Sequence, residues 1–224
     1  MRLLGALQEE VGARESIQDM SQGPTRDLSK LGLILAAAEK QFALRGFAGA
    51  TMRGIAQEAG VGVSLVVYHF ETKERLYESV FLARRHVIDE RSSRLALALQ
   101  TPGPDLVGDI VTAMVAPVLR LLDQPEYTWY VRLIFRYLGE HDPERRESIE
   151  ALFNPLAEQY IAALRTVLPD KPTGFHRWAY LFTLGALTQI TQAERAEHLR
   201  SPDEGDADPT DLLVRYVTAA LTHG

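Results

Sequence analysis

Residues Gly60 to Phe70 read GVGVSLVVYHF, an apolar run that includes three side chains able to hydrogen-bond. Wound as a helix of 3.6 residues per turn, the run sends Val61, Val66 and Phe70 to one side. Val63, Ser64, Leu65, Val67, Tyr68 and His69 then lie nearer the other side. A helix lodged in a DNA major groove has a use for such a set. Small apolar groups meet thymine methyls, while the hydroxyls of Ser64 and Tyr68 and the imidazole of His69 bond to base edges or phosphates. A protein–protein interface would equally account for two valines, a leucine and a tyrosine exposed together. The residues alone leave both readings open.

The elements that must hold this run in place are legible on either side of it. Between Leu28 and Leu44, the residues Leu31, Leu35, Ala38 and Phe42 recur at three- and four-residue steps, the stripe of an amphipathic helix. Asp27 or Ser29 is placed to cap its start and Gly46 to stop it. Thr51 caps a second, short helix, MRGIAQEA, which Gly60 ends. After the apolar run, Thr72 caps a fourth helix, expected from Lys73 to about Leu99 on the stripe Leu76, Val80, Ala83, Val87, Leu95 and Leu99. The second and third helices, joined by a glycine-containing turn, have the pattern of a helix-turn-helix.

Beyond QTPGP the pattern stays helical, with spans expected near 105–122, 126–140, 144–168, 173–199 and 210–222. Pro104, Pro125, Pro143, Pro172 and Pro209 stand where a first helical turn tolerates proline. Pro117 and Pro155 fall inside two spans and predict a kink or a break. No hairpin dipeptide and no long strand alternation occurs. The expected fold class is all α, an N-terminal three-helix helix-turn-helix domain followed by a helical bundle. Residues 1–26, carrying Arg14 and Arg26, read as a mobile arm.

Net charge of −6 argues at first against nucleic acid, but it is unevenly spread. Arg26 to Glu78 carries +1 and the remainder −7, which permits an N-terminal nucleic-acid site without demanding one. The chain has no cysteine, which removes thiolate chemistry and disulfides and fits a reducing compartment. Glu9 and Glu10 interrupt the first apolar run, so no signal peptide is expected. No apolar segment approaches the roughly 20 residues of a membrane helix, and a cytoplasmic location without membrane contact is expected. Catalytic motifs are missing: there is no G-x-S-x-G, no phosphate-binding loop and no G-x-G-x-x-G. His69, His86, His141, His176, His198 and His223 include no pair at helical metal spacing, and ERAEH lacks the first histidine of a zinc-protease motif. No catalytic residue, no metal and no cofactor is expected.

Across residues 28–78 the stretches FALRGFAGAT, MRGIAQEAGV and YHFETKERLY resemble the N-terminal DNA-binding domain of TetR (tetracycline-repressor-like) regulators. The resemblance implies a homodimer that binds double-stranded, near-palindromic operator DNA and puts the third helix in the major groove. By position, Val63, Ser64, Leu65 and Val67 then face the groove. Thr51 and Arg53 lie where the second helix meets the DNA backbone, and Tyr68, His69 and Lys73 match phosphate contacts. Two departures stand out. Gly62 replaces the usual Ser or Thr, so a capping hydroxyl of about 1 kcal/mol is missing. Val67 replaces a Tyr or Asn, which shifts specificity toward methyl contacts and DNA shape. The family further implies a transcriptional regulator, most often a repressor, that senses a small molecule. The alternative is the same fold docking a protein partner without DNA. The expected organisation is an arm (1–26), a helix-turn-helix domain (27–78) and an effector-binding and dimerisation domain (79–224).

For the effector, WYVRLIFRYLGEHDPERRE is similar to stretches in regulators that respond to apolar molecules such as fatty acids. The candidate pocket is Met114, Trp129, Arg132, Leu133, Arg136, Phe153, Trp178 and Phe182, with Arg132 or Arg136 pairing an anionic end. Plain core packing, or an arginine paired with Glu140 or Glu158, would account for the same residues. YLFTLGALTQITQAER carries small Gly185 and Ala186 that let another helix approach. Phe182, Gly185, Ala186, Gln189 and Tyr216 are the candidate dimer interface, an intrachain seam being the alternative.

Overall fold

Leu31, Ile34, Ala38 and Phe42 recur at helical steps and are buried along one face of the first helix, α1 (Pro24–Gly49). The structure, a computed structural model, describes residues 24–139, 143–190, 197–201, 205 and 208–224. All but Pro24–Arg26 of the expected arm, together with Glu140 and the segment 191–196, lies outside them. Asp27 and Ser29 sit inside α1 rather than at its cap. Its regular course ends at Gly46, whose φ of 69° and ψ of 173° break the helical path at a residue free to adopt them.

Three short helices follow. Thr51 caps α2 (Met52–Glu58) by accepting a 3.0 Å hydrogen bond from the Gly54 amide. Gly60, at φ 67°, makes the turn into α3 (Val63–Phe70). That helix starts at Gly62 with no side-chain cap, as its sequence implies. Its end is unusual. Glu71 stands at φ 60° and ψ −56°, and the Thr72 amide donates to Phe70 O at 2.6 Å across it, a tight γ-turn. Thr72 then caps α4 (Lys73–Ala83) through the Arg75 amide.

The single helix expected from Lys73 to Leu99 is instead two. α4 stops at Ala83, Arg84 takes φ −103° and ψ 14°, and α5 (Arg85–Gln100) begins. The Arg84 guanidinium is held by Glu39 of α1 through both carboxylate oxygens, at 2.9 and 3.1 Å. The break resets the helical phase. Ala83 and Leu99, expected on the inner stripe, are exposed, while Val87, Ile88, Arg91 and Leu95 form the buried face of α5.

The later helices are α6 (Leu106–Leu119), α7 (Thr128–Gly139), α8 (Pro143–Val167), α9 (Phe175–Gln189) and α10 (Pro209–His223). Two short 3-10 turns, Arg120–Asp123 and Pro125–Tyr127, precede α7. Pro155 lies inside α8 without ending it, and Pro117 comes two residues before the end of α6. The span expected at 173–199 ends as α9 at Gln189, where Ile190 follows as a turn. Every element among the described residues is helical, and none is long and apolar enough to cross a membrane.

The chain forms two compact units. One contains the described residues up to Arg85 together with Trp129–Ile149, so that α1–α4 share a core with most of α7. Its interior is an aromatic chain. Phe42, Phe47, Tyr77 and Phe81 meet edge-on or stacked at 4.9–5.9 Å between centroids, and Phe81 continues to Tyr137 at 5.7 Å. The other contains His86–Thr128 and Glu150–Gly224. There α6 packs along α10, burying Ile110, Met114 and Val118 on one helix and Leu213, Val217 and Leu221 on the other.

Candidate functional site

The third helix is mounted by two side chains. Val66 and Phe70 are fully buried against the rest of the first unit, each contributing about 1.5–3 kcal/mol. Val61 is half-buried. The opposite face is open: Val63 and Val67 are 45% exposed, Tyr68 is 76% exposed, and Ser64 is exposed beside them. Leu65 and His69 are intermediate, and the His69 ring lies 5.2 Å from that of Tyr68. The structure therefore gathers Val63, Ser64, Val67 and Tyr68 on one free surface. Leu65 and His69 flank it.

On α2, Thr51 and Arg53 are exposed, with the Thr51 hydroxyl engaged as a helix cap. Glu58 of α2 is linked to α1, taking Lys40 at 2.5 Å and the Gln41 amide at 3.2 Å. Lys40 holds the Glu58 carboxyl below the usual range through their hydrogen bond and charge attraction.

Lys73 is more tied down than a free phosphate contact would be. Its ammonium donates to Phe47 O at 2.9 Å and Ala50 O at 3.1 Å, and lies 4.3 Å from the centre of the Phe47 ring. It thus neutralises carbonyls at the C-terminal end of α1 and pins the start of α4 to them.

The eight residues expected to line an effector pocket divide between the two units. Trp129, Arg132, Leu133 and Arg136 lie with α1–α4 in the first, and Met114, Phe153, Trp178 and Phe182 in the second. Met114 and Leu133 are buried, Trp129 and Phe153 half-buried, and Arg132 and Arg136 exposed. Arg136 lies flat on the backbone at Gly46: a Cβ built there would stand 2.6 Å from Nη2. The Lys40 ammonium lies 6.0 Å from the Trp129 ring.

Sequence reasoning missed the most unusual cation in the second unit. Arg91 is 6% exposed, and its Nε and Nη2 are closed to solvent with no hydrogen-bond partner. Its guanidinium carbon lies 5.8 Å from the centre of the Tyr160 ring. Burial pushes the phenol of Tyr160 well above the ordinary tyrosine range and raises that of Tyr180, and the Arg91 charge opposes the shift at both. The signal was present, since Arg91 stands four residues from both Val87 and Leu95.

Trp178 and Phe182 stack on each other at 5.8 Å, 52% and 70% exposed. Leu181, Gly185 and Gln189 on α9 and Leu212 and Tyr216 on α10 are also exposed, while Ala186 is intermediate. A Cβ at Gly185 would meet no atom within 4 Å. Among the described residues, no group of three or more His, Cys, Asp or Glu side chains could hold a metal ion.

An all-α chain with a short, outward-facing helix seated after a glycine turn is the architecture of a helix-turn-helix regulator. Residues 34–80 match the family model described as bacterial regulatory proteins, tetR family, and residues 112–223 match that of the tetracyclin repressor-like C-terminal domain. The chain belongs to this family of bacterial transcriptional regulators.

Solved structures agree with this fold. The hemolysin II transcriptional regulator HlyIIR aligns at TM-score 0.63 and 20% identity, over 88% of this chain and 99% of that one. PfmR from Thermus thermophilus aligns at 0.55 and 19%, over 84% and 97%. FadR from Bacillus subtilis, solved in complex with stearoyl-CoA, aligns at 0.56 and 17%, over 87% and 98%. No curated protein sequence matches the chain.

Proposed function

We propose that this regulator is a ligand-responsive repressor that binds a near-palindromic operator as a homodimer. The observation that carries the reading is the outer face of α3, where Val63, Val67 and Tyr68 are exposed on a helix anchored by Val66 and Phe70. An apolar surface of this kind gains nothing in water and gains methyl contacts in a major groove. Thr51, Arg53, Tyr68 and His69 supply the phosphate and backbone contacts, Lys73 holds the end of α1 behind them, and residues 27–78 are the DNA-binding segment. Residues 79–224 bind the effector and dimerise, with Trp129–Ile149 also contributing to the core behind the DNA-binding helices.

Dimerisation uses the exposed strip of Trp178, Leu181, Phe182 and Gly185 on α9 with Leu212 and Tyr216 on α10. A second copy laid on it buries apolar area that is otherwise wet, and Gly185 admits close helix approach. Two recognition helices about 34 Å apart then read successive major grooves. An effector that prefers the state unfit for this spacing releases the operator in proportion to its differential affinity.

The test is fluorescence anisotropy with the DNA upstream of the protein's own gene, measured across salt concentrations. The expected result is tight binding whose logarithm falls linearly with the logarithm of salt, and its loss in Val67→Asp. Binding absent at low salt would sink the reading and leave the fold as a protein-docking module.

A further inference from the structure

Arg91 sits on the buried face of α5, and three neighbours on that face, Val87, Ile88 and Leu95, are apolar. The carboxylates beside it in sequence do not answer its charge. Asp89 is exposed, and Glu90 is taken by Arg94 at 2.8 Å and by Arg120. A guanidinium cannot shed its proton at any physiological pH, so a buried one must be paired or carry a heavy desolvation cost. Here Nε and Nη2 have no acceptor within ordinary hydrogen-bond distance, and the Tyr160 hydroxyl is their weak, longer-range partner. Two phenols stand with it: Tyr160, whose hydroxyl donates at a long 3.4 Å to Arg91 O, and Tyr180, whose ionisation Arg91 also favours. Both remain protonated at neutral pH, and the one proton of Tyr160 is committed to that long bond.

We propose that Arg91 is the anion anchor of the effector site, taking the carboxylate of an amphiphilic organic acid in its planar fork. The two unpaired nitrogens supply what a carboxylate accepts. The side chains beside Arg91 on α5, and Leu156 one turn before Tyr160 on α8, are buried and apolar, the surroundings in which a charge pair is strong. Arg132 and Arg136, by contrast, are exposed to water, where an ion pair is weak. This inference rests on the reading of the chain as a ligand-responsive regulator, and it names the chemistry of that ligand.

The experiment uses the full chain and three probes: decanoate, decanol and inorganic phosphate. Decanoate is expected to raise the melting temperature of the wild type, whereas decanol and phosphate leave it unchanged. Arg91→Met is expected to melt higher than wild type without ligand, because it removes an unpaired buried charge, and to lose the decanoate response. Arg91→Lys, which keeps the charge and loses the fork, should weaken decanoate binding at least tenfold by calorimetry. A wild type indifferent to decanoate, a response to phosphate in its place, an Arg91→Met protein that melts lower, or one that responds to decanoate unchanged would each overturn the proposal. Anisotropy with upstream DNA separates this from the parent reading. DNA binding without a decanoate effect removes the Arg91 site alone; decanoate binding through Arg91 without DNA binding removes the regulator reading alone.

Discussion

The ammonium of Lys73 closes the end of α1 through Phe47, donating to its carbonyl at 2.9 Å and resting 4.3 Å from the centre of its ring. Hydrogen bonds to charged groups contribute about 1.5–3 kcal/mol each, so this contact holds the DNA-binding helices together. Lys73→Met should lower the melting temperature, with a loss of about 2 kcal/mol in urea titrations. If Lys73 also touches a phosphate, the folded variant will show a shallower salt dependence of DNA binding by about one unit of slope. An unchanged melting temperature would show that the carbonyl contacts contribute nothing.

Gly46 is required by its positive φ, whereas the Arg136 guanidinium close to it is the end of a flexible, exposed side chain. Gly46→Ala should cost about 1–3 kcal/mol, from the backbone strain alone. Adding Arg136→Ala should recover little, because the exposed arginine can swing aside in the single variant. A large recovery in the double variant, measured by denaturant titration, would show that the Arg136 contact and not the strain carries the cost.

The ion pair of Arg84 and Glu39 is largely buried, with the carboxylate side chain 7% exposed. Removing the cation alone leaves that charge stranded, so Arg84→Met should destabilise by about 3–5 kcal/mol. The double variant Glu39→Met with Arg84→Met should recover most of the loss. A double-mutant cycle with no coupling would contradict the bidentate geometry.

Neighbouring valines of α3 should respond in opposite ways. Val66→Ala removes buried methyls and should cost about 2 kcal/mol of stability. Val67→Ala, on the open face, should stay within about 0.5 kcal/mol while weakening DNA binding. If Val67→Ala binds upstream DNA as tightly as wild type, the outer face of α3 is not the reading surface.

Burial raises the Tyr160 phenol above its ordinary range, and this sets an alkaline limit to stability. The folded protein keeps the proton after the unfolded chain has lost it. Stability is therefore full below the unfolded value of about 10 and declines as pH rises past it. Tyr160→Phe has no proton to lose and should move the alkaline limb of the melting curve to higher pH. Coincident limbs for the two proteins would show that Tyr160 does not titrate on unfolding.

Periodicity was a sound guide where one helix met one core. Val66 and Phe70 inside, with Val63, Val67 and Tyr68 outside, follow from 3.6 residues per turn and need no knowledge of neighbours. Caps at Thr51 and Thr72 followed in the same way, because a cap is a contact over three residues. The same reasoning failed between Lys73 and Leu99. Each half of that stretch is regular, and the break at Arg84 comes with a partner, Glu39, 45 residues away.

Local spacing thus determined the all-α class, the helix-turn-helix and the outward face of α3, since helical period and capping are properties of a few consecutive residues. Tertiary structure decided the rest. It joined most of α7 to the DNA-binding helices, turned Lys73 onto the carbonyls of Phe47 and Ala50, and spread the expected pocket residues over two units. It also left two nitrogens of buried Arg91 without an acceptor at ordinary hydrogen-bond distance. These outcomes depend on which distant side chains share a low-dielectric interior. A charge there is costly or strongly held according to its neighbours, and no sequence spacing names those neighbours.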